Sequence, residues 1–265
     1  MPKGRVLAIA ASDSGGGAGI QADIKTITML GGYAGTAITA ITVQNTLGVF
    51  AVRALPADLV AAQARAFLSD IGADAIKTGA LGGQAIVERV AEIADGAPDA
   101  TLIVDPVMAA KGGRRLFSKR GWAALRRLLV PRAGLLTPNA VEAEALCGRE
   151  VGDLDQLRAA GETLLRMGAR AVLLKGGHLS GPSSVDILLT PNFEKRFESP
   201  RVASSNTHGT GCTLASACAT GLALGLELPE AVEGAWRYTA EAIRRAPGLG
   251  AGPGPLDHGW PLRGP

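Results

Sequence analysis

The chain has 265 residues, 47% hydrophobic and 19% charged, which is typical of a folded protein with a sizeable core and excludes a disordered chain. Its net charge is only +3, with scattered basic residues, and no apolar run approaches the roughly 20 residues of a membrane span, so neither a nucleic-acid nor a membrane partner is expected. The three cysteines lack CxxC spacing and indicate free thiols, which predicts a cytoplasmic protein.

The chain begins with a predicted strand at residues 5–11, a glycine-rich loop and a helix at 20–30. The first apolar run is interrupted by Asp13 and is too short for a signal peptide. Residues 17–22 match the loose dinucleotide-binding pattern GxGxxA, which needs an acid about 20 residues further on. Residues 24–57 contain no Asp or Glu, so a dinucleotide site is excluded.

Strand and helix patterns then alternate along the chain. Apolar runs predict strands at 33–43, 49–55, 75–81, 101–104, 135–136 and 171–175. Two more strands, with a hairpin turn at Pro191-Asn192, are predicted at 185–190 and 193–197. Helical spacing predicts helices at 56–71, 84–94, 154–167, 214–226 and 229–245, and a helix containing Glu142. We expect one α/β domain over 1–265, with a mostly parallel sheet covered on both faces, an antiparallel pair near the end, and an irregular tail at 247–265.

Polar side chains follow the predicted strands at their carboxyl ends, which is where open α/β sheets bind ligands. They are Asp13, Gln44, Lys77, Asp105, Asn139 and Lys175. Acids suit a metal ion and lysines suit phosphate, so this set predicts a site for an anionic ligand. The chain has no GxxxxGK[ST] motif, which excludes a P-loop enzyme.

A glycine turn at 206–213, NTHGTGCT, precedes the helix predicted at 214–226. Its two glycines allow a tight turn and a close approach to a ligand. The N–H groups at a helix start form an anion site. The alternative is an ordinary helix cap, for which Thr210 or Thr213 could supply the hydroxyl.

Six motifs together resemble one enzyme family, the hydroxymethylpyrimidine/phosphomethylpyrimidine kinases of thiamine synthesis in the ribokinase-like superfamily. They are SDSGGGAGIQADIK from Ser12, VQNT from Val43, VDPVM from Val104, TPN from Thr137 with Glu142, KGGH from Lys175, and NTHGTGCT from Asn206. The resemblance covers nearly the whole chain. It implies a three-layer α/β/α fold and a homodimer. It also implies ATP- and Mg²⁺-dependent phosphorylation of 4-amino-5-hydroxymethyl-2-methylpyrimidine and then of its monophosphate.

The resemblance also implies a pyrimidine pocket. Asp23 and Gln44 would hydrogen-bond the aminopyrimidine, since a carboxylate accepts from an amine and an amide offers both donor and acceptor. The alternatives are a helix-face acid and a strand-end amide. The residues implied to line the pocket are Ala11, Val43, Ala80 and Val107, for which ordinary core packing is the alternative. Ala80 stands where family members often carry methionine.

For the phosphates and metal, Asn139 and Glu142 resemble the superfamily's NxxE pair, with Asp105 nearby. Hard oxygen ligands suit Mg²⁺, although Glu142 also fits a first-turn acid favoured by the helix dipole. Lys175 and Thr207 would contact ATP phosphate, as would Asn139. Lys111 would lie on a loop that closes over the phosphates, the alternative being a solvated lysine.

Cys212 occupies the place where related sugar kinases keep an aspartate base. The helix dipole predicts a lowered thiol pKa there. Our hypothesis is that Cys212 helps to deprotonate the hydroxymethyl group beneath the amides of Gly209, Thr210 and Gly211. The alternative is that the sulfur only fills space or positions the substrate, because phosphoryl transfer depends mostly on positioning and charge.

Two other functions stay open on the sequence. One is a pyridoxal or pyridoxine kinase of the same superfamily, some members of which accept both rings. The other is a non-catalytic nucleotide- or vitamin-binding protein. The joint presence of Asp105, Glu142, Lys175 and the glycine turn favours a kinase over a binding protein.

Overall fold

Nine strands form one sheet in the computed structural model, which describes residues 4–108, 117–177, 179, 181 and 183–263. The strands are β1 (Arg5–Ser12), β2 (Tyr33–Asn45), β3 (Gly48–Ala54), β4 (Ala75–Thr78), β5 (Thr101–Val104), β6 (Leu135–Leu136), β7 (Val172–Lys175), β8 (Ser183–Leu189) and β9 (Glu194–Pro200). Their order is β3-β2-β1-β4-β5-β6-β7-β8-β9. Every neighbouring pair from β2 to β7 is parallel, and β3, β8 and β9 join antiparallel.

Helices cover both faces of this sheet. They are α1 (Gly19–Met29), α2 (Ala57–Asp70), α3 (Gln84–Asp95), α4 (Lys119–Leu128), α5 (Ala140–Cys147), α6 (Leu154–Arg166), α7 (Thr210–Ala223) and α8 (Leu228–Arg244). Buried side chains of α2 to α6 share one hydrophobic cluster, and those of α1, α7 and α8 share the other. The predicted mostly parallel sheet with helices on both faces is therefore confirmed.

The alternation of side chains along the central strands divides the two cores. On β1, Leu7 and Ile9 pack with the α2–α6 cluster, whereas Val6 packs with the α1, α7 and α8 cluster. On β5, Leu102 belongs to the first cluster and Ile103 to the second. Successive side chains of a strand point to opposite faces, so a strand buried on both faces must be apolar throughout. This explains the short continuous apolar runs of the sequence.

Two features of the fold differ from the sequence-based expectation. Antiparallel pairing occurs at both edges of the sheet, because β2 turns back into β3 with Asn45 paired to Gly48. Helix α4 was not predicted; it begins after Ser118, whose hydroxyl oxygen accepts a hydrogen bond from the Gly121 amide. Its sequence, KRGWAALRRL, has four basic and five apolar residues, and its buried residues Gly121, Ala124 and Leu125 share one face, so an amphipathic helix was readable from the sequence.

The C-terminal tail packs against the glycine turn. Leu256 and His258 are buried in it, although it carries only a short 3-10 turn, Trp260–Arg263, among its described residues. The amide of Gly254 donates to Asn206 Oδ1 at 3.0 Å. The tail therefore fixes the entry to α7. Within the described ranges, no helix is long and apolar enough to cross a membrane.

Candidate active site

A cavity of about 780 Å³ lies beyond the carboxyl ends of the parallel strands. Its wall includes Asp13 after β1, Gln44 near the end of β2, Asp105 after β5 and Lys175 at the end of β7. The first turn of α7 completes the wall. Because parallel strands end at one edge of a sheet, residues far apart in sequence meet there.

The turn before α7 depends on a glycine. Gly209 has φ +89°, in the left-handed region, and a Cβ there would collide with the carbonyl oxygen of Gly17. The predicted threonine cap is wrong, since no side chain caps α7. The Thr210 hydroxyl donates to the carbonyl of Thr207, and the Thr213 hydroxyl donates to that of Gly209. Backbone contact between two loops, rather than a capping hydroxyl, sets the start of the helix.

The start of α7 faces a lysine and an aspartate. The first N–H groups of any helix lack intrahelical acceptors and carry partial positive charge. Both Gly211 and Cys212 of this first turn line the cavity. A Cβ at Gly211 would lie 3.2 Å from Lys175 Nζ and 3.8 Å from Asp105 Oδ2. The missing side chain thus leaves room for a ligand's charged group among the turn, the ammonium and the carboxylate.

Lys175 links two carboxylates. Its Nζ lies 3.1 Å from Asp105 Oδ1 and 3.9 Å from Glu142 Oε2. Although burial alone would lower it, these carboxylates raise the pKa of Lys175, so the ammonium is charged at neutral pH. The second oxygen of Asp105, Oδ2, is buried without a hydrogen-bond partner in the described part of the protein. Such an oxygen requires water or a cation as a partner, and its hard donor character suits Mg²⁺.

Glu142 closes a capping box at the start of α5. Its carboxylate accepts from the Asn139 amide at 2.9 Å, and Asn139 Oδ1 accepts from the Glu142 amide at 2.9 Å. The helix-cap interpretation is therefore realised, but both residues also line the cavity. Burial raises the pKa of Glu142 to about 7, against the lowering effect of Lys175. Among the described residues no cluster of three or more His, Cys, Asp or Glu could hold a metal by itself.

Cys212 lies above a buried ion pair. Lys77 Nζ donates to Asp23 Oδ1 at 2.7 Å, and both side chains are fully buried. Burial raises the pKa of the Cys212 thiol to about 11, and the charge of Lys77 only partly offsets this. The predicted lowering by the helix dipole is therefore wrong, because desolvation of the thiolate is the larger effect. This thiol is therefore mostly protonated at neutral pH.

Asp23 does not fit its predicted contact with the substrate. Its side chain is fully buried and does not line the cavity. Besides Lys77, it accepts a hydrogen bond from Ser216 on α7 at 2.7 Å. The carboxylate therefore supports the floor of the site instead of forming its surface.

Val43 also lies away from the cavity. Thr42 and Gln44 line the cavity, whereas Val43 between them is 56% exposed. Successive side chains of a strand point to opposite sides, so two neighbours that face the cavity exclude the residue between them. The predicted pocket contact of Val43 is corrected on this ground.

The remaining predicted residues lie around the cavity, apart from one. Those that line it are Ala11, Gln44, Ala80, Asp105, Val107, Asn139, Glu142, Lys175, Thr207, Gly209, Thr210, Gly211 and Cys212. Lys111 lies outside the described residues. The structure brings this set together in space, and the individual functions of its members stay predictions.

Two further residues of the wall had no predicted function. Asp13 accepts from the amides of Gly15, Gly17 and Ala18, and its Oδ2 lies 2.8 Å from His208 Nε2. Although burial alone would raise it, these hydrogen bonds hold the pKa of Asp13 below its ordinary value. An Asp before a glycine run signals such a loop in the sequence. Nothing local marks His208, which is 195 residues from its partner.

Comparison with known proteins identifies relatives of one kinase family. The family model described as phosphomethylpyrimidine kinase matches residues 13–257. The hydroxymethylpyrimidine/phosphomethylpyrimidine kinase of Streptomyces coelicolor is 46% identical, over 97% of this chain and 95% of its own. The thiamine biosynthesis bifunctional protein ThiED of Geobacter sulfurreducens is 49% identical over 97% of this chain, which spans only 53% of that longer protein.

Solved structures also resemble this fold. The phosphomethylpyrimidine kinase of Clostridium difficile 630 superposes with a TM-score of 0.81 at 41% identity, over 90% of this chain and 99% of that one. The ADP complex of Bacillus subtilis pyridoxal kinase superposes with a TM-score of 0.92 at 34% identity, over the full length of both chains. Both structural relatives are kinases.

Proposed function

The chain belongs to the phosphomethylpyrimidine kinase family, and we propose that it transfers phosphate from ATP to two successive acceptors. The first acceptor is the pyrimidine alcohol 4-amino-5-hydroxymethyl-2-methylpyrimidine, and the second is its monophosphate. The protein is a kinase of thiamine biosynthesis, like the relatives that share nearly its whole length. The observation that carries the proposal is the meeting of Lys175, Asp105 and the start of α7 in one cavity.

This arrangement serves phosphoryl transfer by placing positive charge where negative charge develops. The transferred group passes through a transition state whose charge is spread over its equatorial oxygens. The Lys175 ammonium and the N–H groups at the start of α7 would receive that charge, fixed in advance by Asp105 and by the Gly209 turn. We assign Thr207 and Asn139, which also line the cavity, to the phosphates of ATP.

A magnesium ion fits the acidic side of the site. The unpartnered Oδ2 of Asp105 and the buried carboxylate of Glu142 are hard oxygen donors, and Mg²⁺ in kinases is held by one or two carboxylates, waters and substrate phosphates. When bound, the ion would neutralise phosphate charge. Lys175, between the two carboxylates, keeps them from repelling each other before the ion arrives.

The part of the cavity wall that contains Gln44 suits a small flat ring. Gln44 supplies the amide, and Ala11, Ala80 and Val107 supply a mainly apolar surface. In this arrangement the hydroxymethyl group of the ring would point toward Cys212. The small side chain of Ala80 leaves more space over the ring than a methionine would.

The release of ADP tests the function directly. The purified protein is incubated with ATP and Mg²⁺ and, in turn, with the pyrimidine alcohol, its monophosphate and pyridoxal. We expect release with both pyrimidines. Release with pyridoxal alone would identify a pyridoxal kinase, and no release with any of them would identify a binding protein.

Replacing Cys212 by alanine should slow the first phosphorylation more than the second, by about tenfold in the ratio of the two kcat values. This is less than the roughly 10²–10⁴-fold effect of a well-matched general base, because the raised pKa keeps the thiol mostly protonated at neutral pH. The alcohol must lose a proton on attack, whereas the attacking phosphate oxygen is already largely ionised at neutral pH. The measurement is kcat for each acceptor. Cys218→Ala is the matched control, because Cys218 lies on the same helix but does not line the cavity. Equal loss in both steps would leave Cys212 a packing residue only.

The pH dependence of kcat/KM for Mg·ATP should show an acid limb near pH 7. Glu142 must ionise to hold Mg²⁺ and its pKa is about 7, so the competent fraction rises with pH below 7 and levels off above it. Glu142→Gln should lower kcat/KM and remove the limb. Glu144→Gln, on the exposed side of the same helix, should leave the profile unchanged. A flat wild-type profile from about pH 5.5 to 7.5 would refute this account.

We also propose a homodimer formed through the outer side of β2. Ile41 and Val43 on β2 and Leu47 in the turn between β2 and β3 are 43%, 56% and 67% exposed. Apolar side chains grouped on a surface mark an interaction site. Val43→Glu should convert the dimer to a monomer in light scattering, and Leu262→Glu should not, although Leu262 in the tail is even more exposed, at 76%. A wild-type protein that is monomeric at micromolar concentration would contradict the proposal.

A cytoplasmic location is proposed on the basis of the thiols. Cys147, Cys212 and Cys218 are free, and the site would present one of them to its ligand. Cell fractionation followed by immunoblotting tests the location; enzyme recovered outside the cytosolic fraction would count against it.

A further inference from the structure

Three side chains of the cavity wall, from the loop after β1, the end of β2 and the turn before α7, form a hydrogen-bonded chain. His208 Nε2 lies 2.8 Å from Asp13 Oδ2 and 3.1 Å from the Gln44 side-chain atom assigned as the amide nitrogen. Asp13 and His208 are buried, and all three side chains line the cavity. One ring nitrogen of a histidine carries either a hydrogen or a lone pair, so it cannot donate to one neighbour and accept from the other.

The ionisation state of Asp13 decides whether His208 Nε2 carries a hydrogen or a lone pair. Asp13 accepts hydrogen bonds from the amides of Gly15, Gly17 and Ala18, and a carboxylate that receives several amide hydrogens is stabilised in its ionised form. An ionised carboxylate only accepts. His208 Nε2 therefore carries a hydrogen and donates it to Asp13, whether the ring is neutral or charged.

The orientation of the Gln44 amide follows from this. The single hydrogen of His208 Nε2 points mainly to Asp13 at 2.8 Å and is shared with the Gln44 arm at 3.1 Å. An amide NH₂ there would face the ring N–H donor to donor, so the arm of Gln44 that faces His208 is its carbonyl oxygen. The oxygen and nitrogen of such an amide are assigned from their hydrogen-bond network rather than from their shape. The backbone of Gln44 is already fixed, because its amide donates to Ser14 Oγ and its carbonyl accepts from Ser14 Oγ, both at 2.8 Å. Only the side-chain amide is free to turn.

We propose that His208 is a positioning residue that sets substrate specificity by holding the carbonyl arm of Gln44. The amide NH₂ is then presented to a ring nitrogen of the substrate, and the second lone pair of the carbonyl accepts from an adjacent exocyclic amine. A fixed amide selects an acceptor nitrogen beside an amine, as asparagine and glutamine do with adenine. This inference rests on the proposed function and explains which ring edge the site accepts.

The fixed Gln44 amide disfavours binding of a ring that has the opposite pattern of hydrogen-bond donors and acceptors. An analogue with an exocyclic oxo group beside a ring N–H needs the amide turned by half a rotation. That turn places the Gln44 NH₂ against the N–H of the buried His208, which leaves two donors facing each other without an acceptor between them. The wild-type site should therefore reject the oxo analogue of the pyrimidine alcohol.

The experiment compares kcat/KM for the pyrimidine alcohol with kcat/KM for its oxo analogue. In His208→Phe the amide is released, and we expect the preference for the amine to fall by at least about tenfold. His208→Gln, which places a side-chain NH₂ near the same point, should restore most of the preference. His258→Phe is the control, because His258 is buried and hydrogen-bonded to Thr213 but does not line the cavity.

The outcomes separate this inference from the proposed function. If the wild type does not phosphorylate the pyrimidine alcohol, the proposed function fails. If it does, and His208→Phe keeps the wild-type preference, the positioning by His208 is refuted. Should His208→Phe not fold, nitrogen-15 NMR of the wild type decides, since the chain has only three histidines. A hydrogen on His208 Nε2 supports the inference, and an unprotonated Nε2 overturns it.

Discussion

Lys175→Met is expected to lower kcat by about 10²–10³-fold, the usual cost of removing one preorganised group that stabilises transition-state charge. The ammonium lies between Asp105 and Glu142 and next to Gly211, and no other described lysine lines the cavity. Its loss leaves two carboxylates without their counter-charge and the phosphoryl group with only the N–H groups of α7 as donors. The measurement is kcat for both acceptors at saturating ATP and Mg²⁺.

The affinity for the pyrimidine alcohol without ATP should stay unchanged in this variant, because we assign the ring to Gln44 and Lys175 only to the phosphoryl group. Titration calorimetry measures it. Lys195→Met is the matched control, since Lys195 pairs with Glu233 on the surface and should leave kcat unchanged. A kcat for Lys175→Met within about threefold of the wild type would remove Lys175 from the phosphoryl-transfer centre.

Gly209→Ala is expected to abolish detectable activity and to destabilise the protein by about 3 kcal/mol or more, because two costs combine. A residue with a Cβ resists the left-handed backbone at φ +89°, and the new methyl group would collide with the Gly17 carbonyl. Relief of that collision would move the start of α7 away from the loop after β1. The free energy of unfolding in urea and kcat together measure the effect.

Gly148→Ala is the control that measures the cost of backbone strain without the cost of a steric collision. Gly148 has φ +69° at the end of α5, but a Cβ there would meet no atom within 4 Å. This variant should lose only about 1 kcal/mol, the cost of the backbone conformation alone, and keep its activity. If both glycine variants lose the same stability and both keep activity, the contact between the turn and Gly17 does not organise the site.

Much of the fold could be predicted from the sequence because the central elements carry strong local patterns. The strand predicted at 101–104 is observed as Thr101–Val104, and Glu142 lies in the first turn of its helix as expected. The prediction failed where a distant contact decides the structure. The sequence left a threonine cap for α7 open as an alternative, but the contact of Gly209 with Gly17, 192 residues away in sequence (209 − 17), sets that turn.

In the candidate site, too, local sequence patterns predicted some features, whereas others depend on contacts between distant residues. The positions of Gln44, Asp105 and Lys175 at the ends of predicted strands were enough to predict that these residues meet in one site, and all three line the cavity. Burial, by contrast, cannot be read from such positions: Asp23 is buried with Lys77, 54 residues away. The same burial raises the pKa of the Cys212 thiol, where the helix dipole alone predicted a lowered value.

Phosphorus-31 NMR of one reaction mixture tests most directly whether this single cavity carries out both phosphorylations. The protein is mixed with the pyrimidine alcohol, Mg²⁺ and an excess of ATP. We predict that a monophosphate ester signal rises first and then gives way to diphosphate signals, while ADP accumulates. A monophosphate that persists with ATP still present, or ADP formed with inorganic phosphate and no ester, would contradict the account.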